Sequence, residues 1–362
     1  MASVLRFDEW QNSNGDLLVD GSSGSVQFPS RRNLLYNGAM QVAQRGTSQT
    51  SITSNGYYTA DRWLFSLLSL GTWTQTLEVD GPTGSGFINS LKVESTTADA
   101  SPAANSYAQI VTRLEGRDLQ GLKKGTSNAE ALTVSFWVKS NVTGAYIFEL
   151  LDSDNTRQVS ASYIISSANT WEKKTISIDG DTTGAFTNDN NTSMHVIFNL
   201  AAGSDRTSGI LNTSWAASVT ANRAVGQTNL AASVGNYWQI TGVQLEMGTV
   251  ATPFEHKPYG EELALCQRYY QLRTLQGTRY ISTAAYCYTD LFARMRANPS
   301  LATPSSLTNI VNTLGVGAQT ATGFASQGTT QEKAGALFTG IPAGTIGVPV
   351  ATTQGIAVDA EL

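Results

Sequence analysis

Charge is scarce in this chain. Only 14% of its 362 residues are Asp, Glu, Lys or Arg, against about a quarter in an ordinary globular protein. No Lys/Arg cluster occurs, and 23 basic residues against 28 acidic leave a net charge of −5. Nucleic-acid binding draws its driving force from neutralised phosphates, so that function is set aside. An anionic membrane surface is disfavoured for the same reason. Cysteine is limited to Cys266 and Cys287, too few for a disulfide-stapled secreted fold and at no zinc spacing; they read as reduced, half-buried thiols. The most apolar stretch, residues 63–70, falls far short of the roughly 20 residues that cross a bilayer. The N-terminus lacks a basic region followed by an apolar run, so the reading expects no signal peptide, no membrane insertion, and a soluble protein made in a cytoplasm.

Histidine is nearly absent too, which narrows catalysis. His195 lies in an apolar strand pattern and His256 in a loop, neither near a nucleophile motif, so an acyl-transfer triad is not expected. Gly116 and Gly121 have the glycine spacing of a phosphate loop, but Leu122-Lys123 stands where Lys-Ser/Thr is required, so the segment reads as a turn. Glycan hydrolysis needs two acids flanking a scissile bond. Glu78/Asp80 and Asp152/Asp154 qualify only by proximity, so no enzyme activity is expected.

What the chain has instead is Ser and Thr at about a fifth of all residues, 33 Gly and 9% aromatics. That is the composition of β-structure joined by turns. Ten alternating or apolar runs punctuated by Gly, Asn and Asp fall at 58–65, 71–79, 89–94, 107–111, 132–139, 144–151, 159–165, 171–178, 194–200 and 237–245. With no crossover helices between them, they predict an all-β, antiparallel jelly-roll sandwich over residues 32–257. In the clearest run, Leu132, Val134, Phe136 and Val138 share one side, while Thr133, Ser135, Trp137 and Lys139 share the other.

The flanks differ. Residues 1–31 carry a strand pattern at 4–10, the hairpin signal Asn14-Gly15, and the flexible Gly21-Ser-Ser-Gly-Ser25, and form a short β attachment segment. Residues 258–276 predict a helical linker, with Glu261 and Glu262 in its first turn and Leu263, Cys266 and Tyr270 on one face. Residues 277–362 read as a smaller C-terminal β-domain.

The aromatics carry the positive signal. Sugar rings present C–H faces that stack on Trp, while neighbouring Asp and Arg take hydroxyls. Trp215 lies in a polar loop after Asp205 and Arg206, Trp137 on the polar side of its strand, and Trp73 between Thr72 and Thr74. These five residues are the candidate carbohydrate-binding set, with core packing the rival reading for each Trp. The oxygen-rich turns around Asp152-Ser-Asp154 and Asp179-Gly-Asp181 could hold a structural Ca²⁺, though plain Asx-turns suit them better. No other cofactor is expected.

Six motifs then occur in order: Arg32-Asn-Leu-Leu-Tyr-Asn-Gly-Ala-Met-Gln-Val-Ala-Gln-Arg-Gly46, Tyr57-Tyr-Thr-Ala-Asp-Arg-Trp63, Val134-Ser-Phe-Trp-Val-Lys-Ser140, Thr241-Gly-Val-Gln-Leu-Glu-Met-Gly248, Ala251-Thr-Pro-Phe-Glu255 and Glu261-Glu-Leu-Ala-Leu-Cys-Gln-Arg-Tyr-Tyr270. Over residues 32 to about 270 the chain resembles a module of tailed-phage tail-fibre and receptor-binding proteins. The resemblance implies a carbohydrate-binding-module-like jelly roll, homotrimeric assembly on a virion, and attachment to host surface polysaccharide. On that reading residues 1–31 dock on other virion proteins, and Leu263, Cys266 and Tyr270 contribute to a threefold contact. The alternatives are a capsid-decorating head fibre or cement protein, and a polysaccharide depolymerase.

Overall fold

Period-two alternation sends one set of side chains inward along each strand, and two sheets with apolar inner sets bury them by stacking. The computed structural model describes residues 9–11, 17–20, 32–304 and 306–362, and divides the chain into two units, Met1–Lys257 and Pro258–Leu362. In the first, one sheet runs in the order Ala216–Ala217, Arg157–Ile165, Gly144–Asp152, Thr192–Ala202, Tyr107–Glu115, Leu64–Leu68, Gly56–Tyr57. The other runs Glu172–Ile178, Leu132–Ser140, Tyr237–Met247, Ser90–Thr97, Thr72–Glu78, Ser48–Ile52. Every pairing within them is antiparallel. Strands distant in sequence lie side by side, as a jelly-roll sandwich requires.

Leu132, Val134, Phe136 and Val138 are all buried, as their alternation predicts. The two sheets meet at Phe198, whose ring centroid lies 5.0 Å from Phe136, 5.3 Å from Phe148, 5.8 Å from Trp238 and 6.4 Å from Trp63. Phe148 and Phe198 belong to the first sheet, Phe136 and Trp238 to the second.

The first and fifth motifs of the resemblance do structural work. Residues 33–38, 40 and 42 are buried without regular structure, so side chains must satisfy the backbone. Asn37 Nδ2 donates to the carbonyls of Val42 and Asp61, and its Oδ1 accepts from the amides of Gln41 and Val42. Asn33 bridges to the strand Tyr237–Met247, donating to Val243 O and accepting from Leu245 N. The Glu255 carboxylate accepts from the amides of Arg32 and Asn33.

Two expectations need correction here. Residues 58–65 are not one strand: the ladder begins at Leu64, because Thr59, Asp61 and Arg62 turn inward as buried polar groups and Arg62 takes a φ of 72°. The strand Ser48–Ile52 was not foreseen; four of its five residues are exposed, so it carries no alternation. Near the N-terminus, Glu9–Gln11 pairs antiparallel with Leu17–Asp20. The Asn14-Gly15 turn, the rest of the expected strand at 4–8 and the link at 21–25 lie outside the described residues.

The second unit is also β-rich. A seven-stranded antiparallel sheet runs Gly317–Gln319, Val311–Thr313, Pro349–Thr352, Gln276–Ile281, Ala284–Asp290, Lys333–Thr339, Gly323–Ser326, beside a three-stranded sheet of Tyr270–Arg273, Ile356–Asp359 and Ser300–Leu301. The helix covers Tyr259–Gln267 and stops there, since Tyr270 to Arg273 pair with Asp359 to Ile356. The expected linker is therefore half strand. Cys266 and Tyr270 are buried within the chain, so neither faces a second copy, while Leu263 is half-buried. Both thiols are fully buried rather than half-buried, and burial pushes the Cys287 thiol up to about 12.

Because Phe198 joins both sheets, Phe198→Ala should lower the unfolding free energy of the first unit by about 3–5 kcal/mol, read as a shifted denaturant midpoint with an unchanged slope.

Candidate functional site

Trp215 stands where the sequence pointed, on the wall of a surface cleft. The neighbouring strand Ala216–Ala217 pairs with Arg157 and Gln158, and Ser160 N donates to Asn212 O, which pins the loop at both ends. The indole N–H of Trp215 donates to Asp179 O at 2.9 Å. Its hydrogen-bonding capacity is thereby spent and its ring held in place. The cleft is about 320 Å³ and is completed by Arg157, Asp179, Asp181, Thr182, Thr183, Thr213 and Ser214. That lies at the lower end of the range for small-ligand sites, about 300 to 1,000 Å³.

The cleft rests on a buried ion cluster. Lys124 Nζ sits 2.6 Å from Asp152 and 3.0 Å from Asp181, and donates to Thr183 O and Gly184 O. Arg157 reaches the same Asp181 with two bonds of 2.7 and 2.9 Å. The ammonium also lies 5.6 Å from the Trp215 ring centroid and 5.1 Å from that of Phe186. Burial alone would raise the Asp181 carboxyl, but hydrogen bonds from Arg157 and Lys124 outweigh it and hold the group below its ordinary value.

The two oxygen-rich turns thus face each other across a lysine. Asp152 Oδ1 accepts from Asn155 N and Asp181 Oδ1 from Thr183 N, as Asx-turns. The cation between them is Lys124, which occupies the place where Ca²⁺ was weighed. Asp154 is engaged elsewhere, accepting from Thr187. Among the described residues no group of acids, His and Cys is arranged to hold a metal.

The other sequence candidates are dispersed. Trp73 is fully buried: its ring packs on Phe65 at 5.5 Å and its N–H donates to Leu70 O. It stacks on no ligand, since strand alternation sends Thr72 and Thr74 outward and Trp73 inward. Asp205 and Arg206 lie in the short helical turn Ser204–Thr207 and do not line the Trp215 cleft. The Arg206 guanidinium instead covers the Tyr107 ring at 4.0 Å. Trp137 is half-buried on the outer side of its sheet, in a separate pocket of about 160 Å³.

The acids and the histidine outside the cleft are committed or silent. Burial would raise Asp80, but hydrogen bonds from Lys139, Trp171 and Gln239 bring it below its ordinary value. Burial pushes Glu149 up despite its two-point contact with Arg223 at 2.6 and 3.1 Å. Burial, with Arg113 and Arg223 nearby, lowers His195 to about 4, so it is neutral at physiological pH. Sequence reasoning missed Lys124 and Arg157. Their partners lie far along the chain, and a Lys beside Lys123 reads as a solvated pair.

No protein-family model and no curated protein matches the sequence. Among solved structures, the enzymatically active domain of bacteriophage CBA120 tailspike protein 4 is similar at 15% identity and a TM-score of 0.32, over 59% of this chain and 21% of the tailspike chain. TmCBM61, in complex with β-1,4-galactotriose, matches at 10% identity and 0.31, over 60% of this chain and 99% of its own. A family 11 carbohydrate-binding module from Clostridium thermocellum, in complex with a β-1,3-1,4-mixed-linked tetrasaccharide, matches at 10% and 0.29, over 57% and 98%. Likenesses this distant decide nothing about what the chain binds.

Two outcomes follow for the ion cluster. Lys124→Met leaves Asp152 and Asp181 short of a buried counter-charge and should cost about 3–5 kcal/mol of stability. For Asp181, whose folded value lies below its unfolded one, the stabilisation is present above the unfolded value of about 3.9 and is lost as pH falls through the folded one. Denaturant midpoints measured from pH 6 down to pH 2 should therefore fall in the acid range, and less steeply in Asp181→Asn.

Proposed function

We propose that this chain is a non-catalytic glycan-binding structural protein of a tailed-phage virion, which attaches the particle to host surface polysaccharide through the Trp215 cleft. The observation that carries the reading is the cleft itself. It joins a fixed indole ring to the hydroxyls of Thr182, Thr183, Thr213 and Ser214 and the guanidinium of Arg157. A pyranose presents the complement, with an apolar C–H face for the ring and a rim of hydroxyls for the polar groups.

A lack of chemistry is part of the proposal. A glycosidase needs one carboxyl raised to act as acid and a second placed for attack. Here Asp181 is pulled down by Arg157 and Lys124, and Asp80 by Lys139, Trp171 and Gln239, while Glu149, which burial pushes up, is sealed inside and held at two points by Arg223. The virion location, the docking role of residues 1–31 and a homotrimeric state rest on the motif resemblance. Weak sites repeated on one particle would gain avidity.

The test is a glycan array probed with the full chain and with Trp215→Ala. Binding to host polysaccharide fragments should fall about two- to twelvefold in the variant, the loss expected from removing a stacked ring of about 0.5–1.5 kcal/mol. Unchanged binding, or release of reducing ends by the wild-type protein, would refute the reading. Sedimentation at equilibrium should give three chains per particle; a monomer would remove the trimer.

A further inference from the structure

The outer side of the six-stranded sheet holds a second pocket, in which Trp137, Lys173 and Ser135 are unspent while Ser85 donates to Pro82 O and Thr252 to Glu246. It is lined by Ser85, Phe87, Ser135, Trp137, Lys173 and Gly242, with Thr252 and Phe254 at its margin. Ser135 and Trp137 lie two residues apart on one strand and so share a face. Lys173 is the direct ladder partner of Trp137 on the neighbouring strand. Phe87 and Phe254 close the pocket from two loops, their rings edge to face at 4.9 Å. The Phe87 ring can lie there because residue 242 is glycine: a Cβ would come within 2.6 Å of it, and the φ of 61° suits glycine in the irregular step of that strand.

The hydrogen-bond inventory separates this pocket from the rest of the surface. Among the described residues, the indole N–H groups of Trp63, Trp73, Trp171 and Trp215 each donate to an oxygen of the chain. That of Trp238 is sealed in the core. The Trp137 N–H donates to none of the described residues and lies outside the core. The Lys173 side chain is exposed and forms no ion pair with them, whereas the neighbouring Lys174 is paired with Glu172 at 2.6 Å and Lys139 with Asp80. The Ser135 hydroxyl is likewise unengaged. An indole N–H and an ammonium can only donate, and no carboxylate lines the pocket to neutralise the lysine. Such a set selects an acceptor that carries negative charge. The three aromatic rings around it select an apolar ring face attached to that acceptor.

We propose that this pocket binds an acidic sugar residue, a uronic or sialic acid unit of a surface polysaccharide. Its carboxylate is held by Lys173, with the Trp137 N–H and the Ser135 hydroxyl, and its ring lies against the aromatic wall. The inference takes from the proposed function only that the ligand is a glycan. It assigns a different site, separate from the Trp215 cleft, and the chemical class that the site prefers.

The experiment is calorimetric titration of the full chain with oligosaccharides containing glucuronate, galacturonate or sialate. The same oligosaccharides with their carboxyl groups reduced to alcohols serve as the matched neutral ligands. At least one acidic form should bind about tenfold or more tightly than its reduced partner, as one charge-assisted contact provides, and the preference should shrink as salt rises. Lys173→Met should abolish the preference and Lys173→Arg keep most of it. Trp137→Phe, which retains a ring and loses the N–H, should weaken the acidic form more than the neutral one. Thermal melts check that each variant folds. A preference that survives Lys173→Met, or is absent from the wild type for all three acids, overturns the inference. Loss of binding in Trp215→Ala, with Lys173→Met unchanged, overturns this site and keeps the proposed cleft. The reverse pattern keeps this site and removes the cleft.

Discussion

One ring, Phe198, sits at the point where the two sheets of the first unit touch, with Phe136 and Trp238 from one side and Phe148 and Trp63 from the other. Apolar burial of this kind is non-directional, yet it fixes which face of every strand is inside. A filled interior leaves clefts and pockets to the outer faces and to the loops. The Trp215 cleft uses the loops, and the Trp137 pocket uses an outer face. Both are consequences of where the aromatic interior is.

The two sites differ in what holds them up. At Trp215 the support is ionic. Lys124 satisfies two carboxylates and two carbonyls from separate turns, and Arg157 locks one of those acids from the strand side. A buried cluster of this kind is a poor source of net stability, but it is unforgiving of a missing partner. It therefore specifies one loop arrangement more than it strengthens the fold. At Trp137 the support is the ladder itself. Register sets Trp137 opposite Lys173, so the two groups are held together without long loops to order.

Much of the fold was legible because it is written in period two. Nine of the ten expected runs coincide with strands, and the inward set Leu132, Val134, Phe136 and Val138 is buried as read. The failures have physical causes. Residues 58–63 look strand-like by composition, but Asp61 and Arg62 are buried into polar contacts and the chain turns there. Ser48–Ile52 is exposed and polar, so it leaves no periodic trace. Trp73 was misjudged by its Thr neighbours, although the same alternation places it inward. Trp215 was legible as a large ring in a polar loop. Lys124 and Lys173 were not, because a charge gains its meaning from partners that only the long-range register brings near.

The strand that carries Lys173 is also the last of its sheet. An open edge is a row of unpaired amides and carbonyls that invites another sheet to add. On Glu172–Ile178 that row is flanked by Glu172, Lys173 and Lys174, whose charges must shed water before a foreign strand can dock. The opposite edge, Ser48–Ile52, is short and kinked where Ser51 takes a φ of 57°. Both edges of this sheet therefore discourage strand addition, one by the position of a few ionic groups in a chain poor in charge and the other by its shortness and its kink.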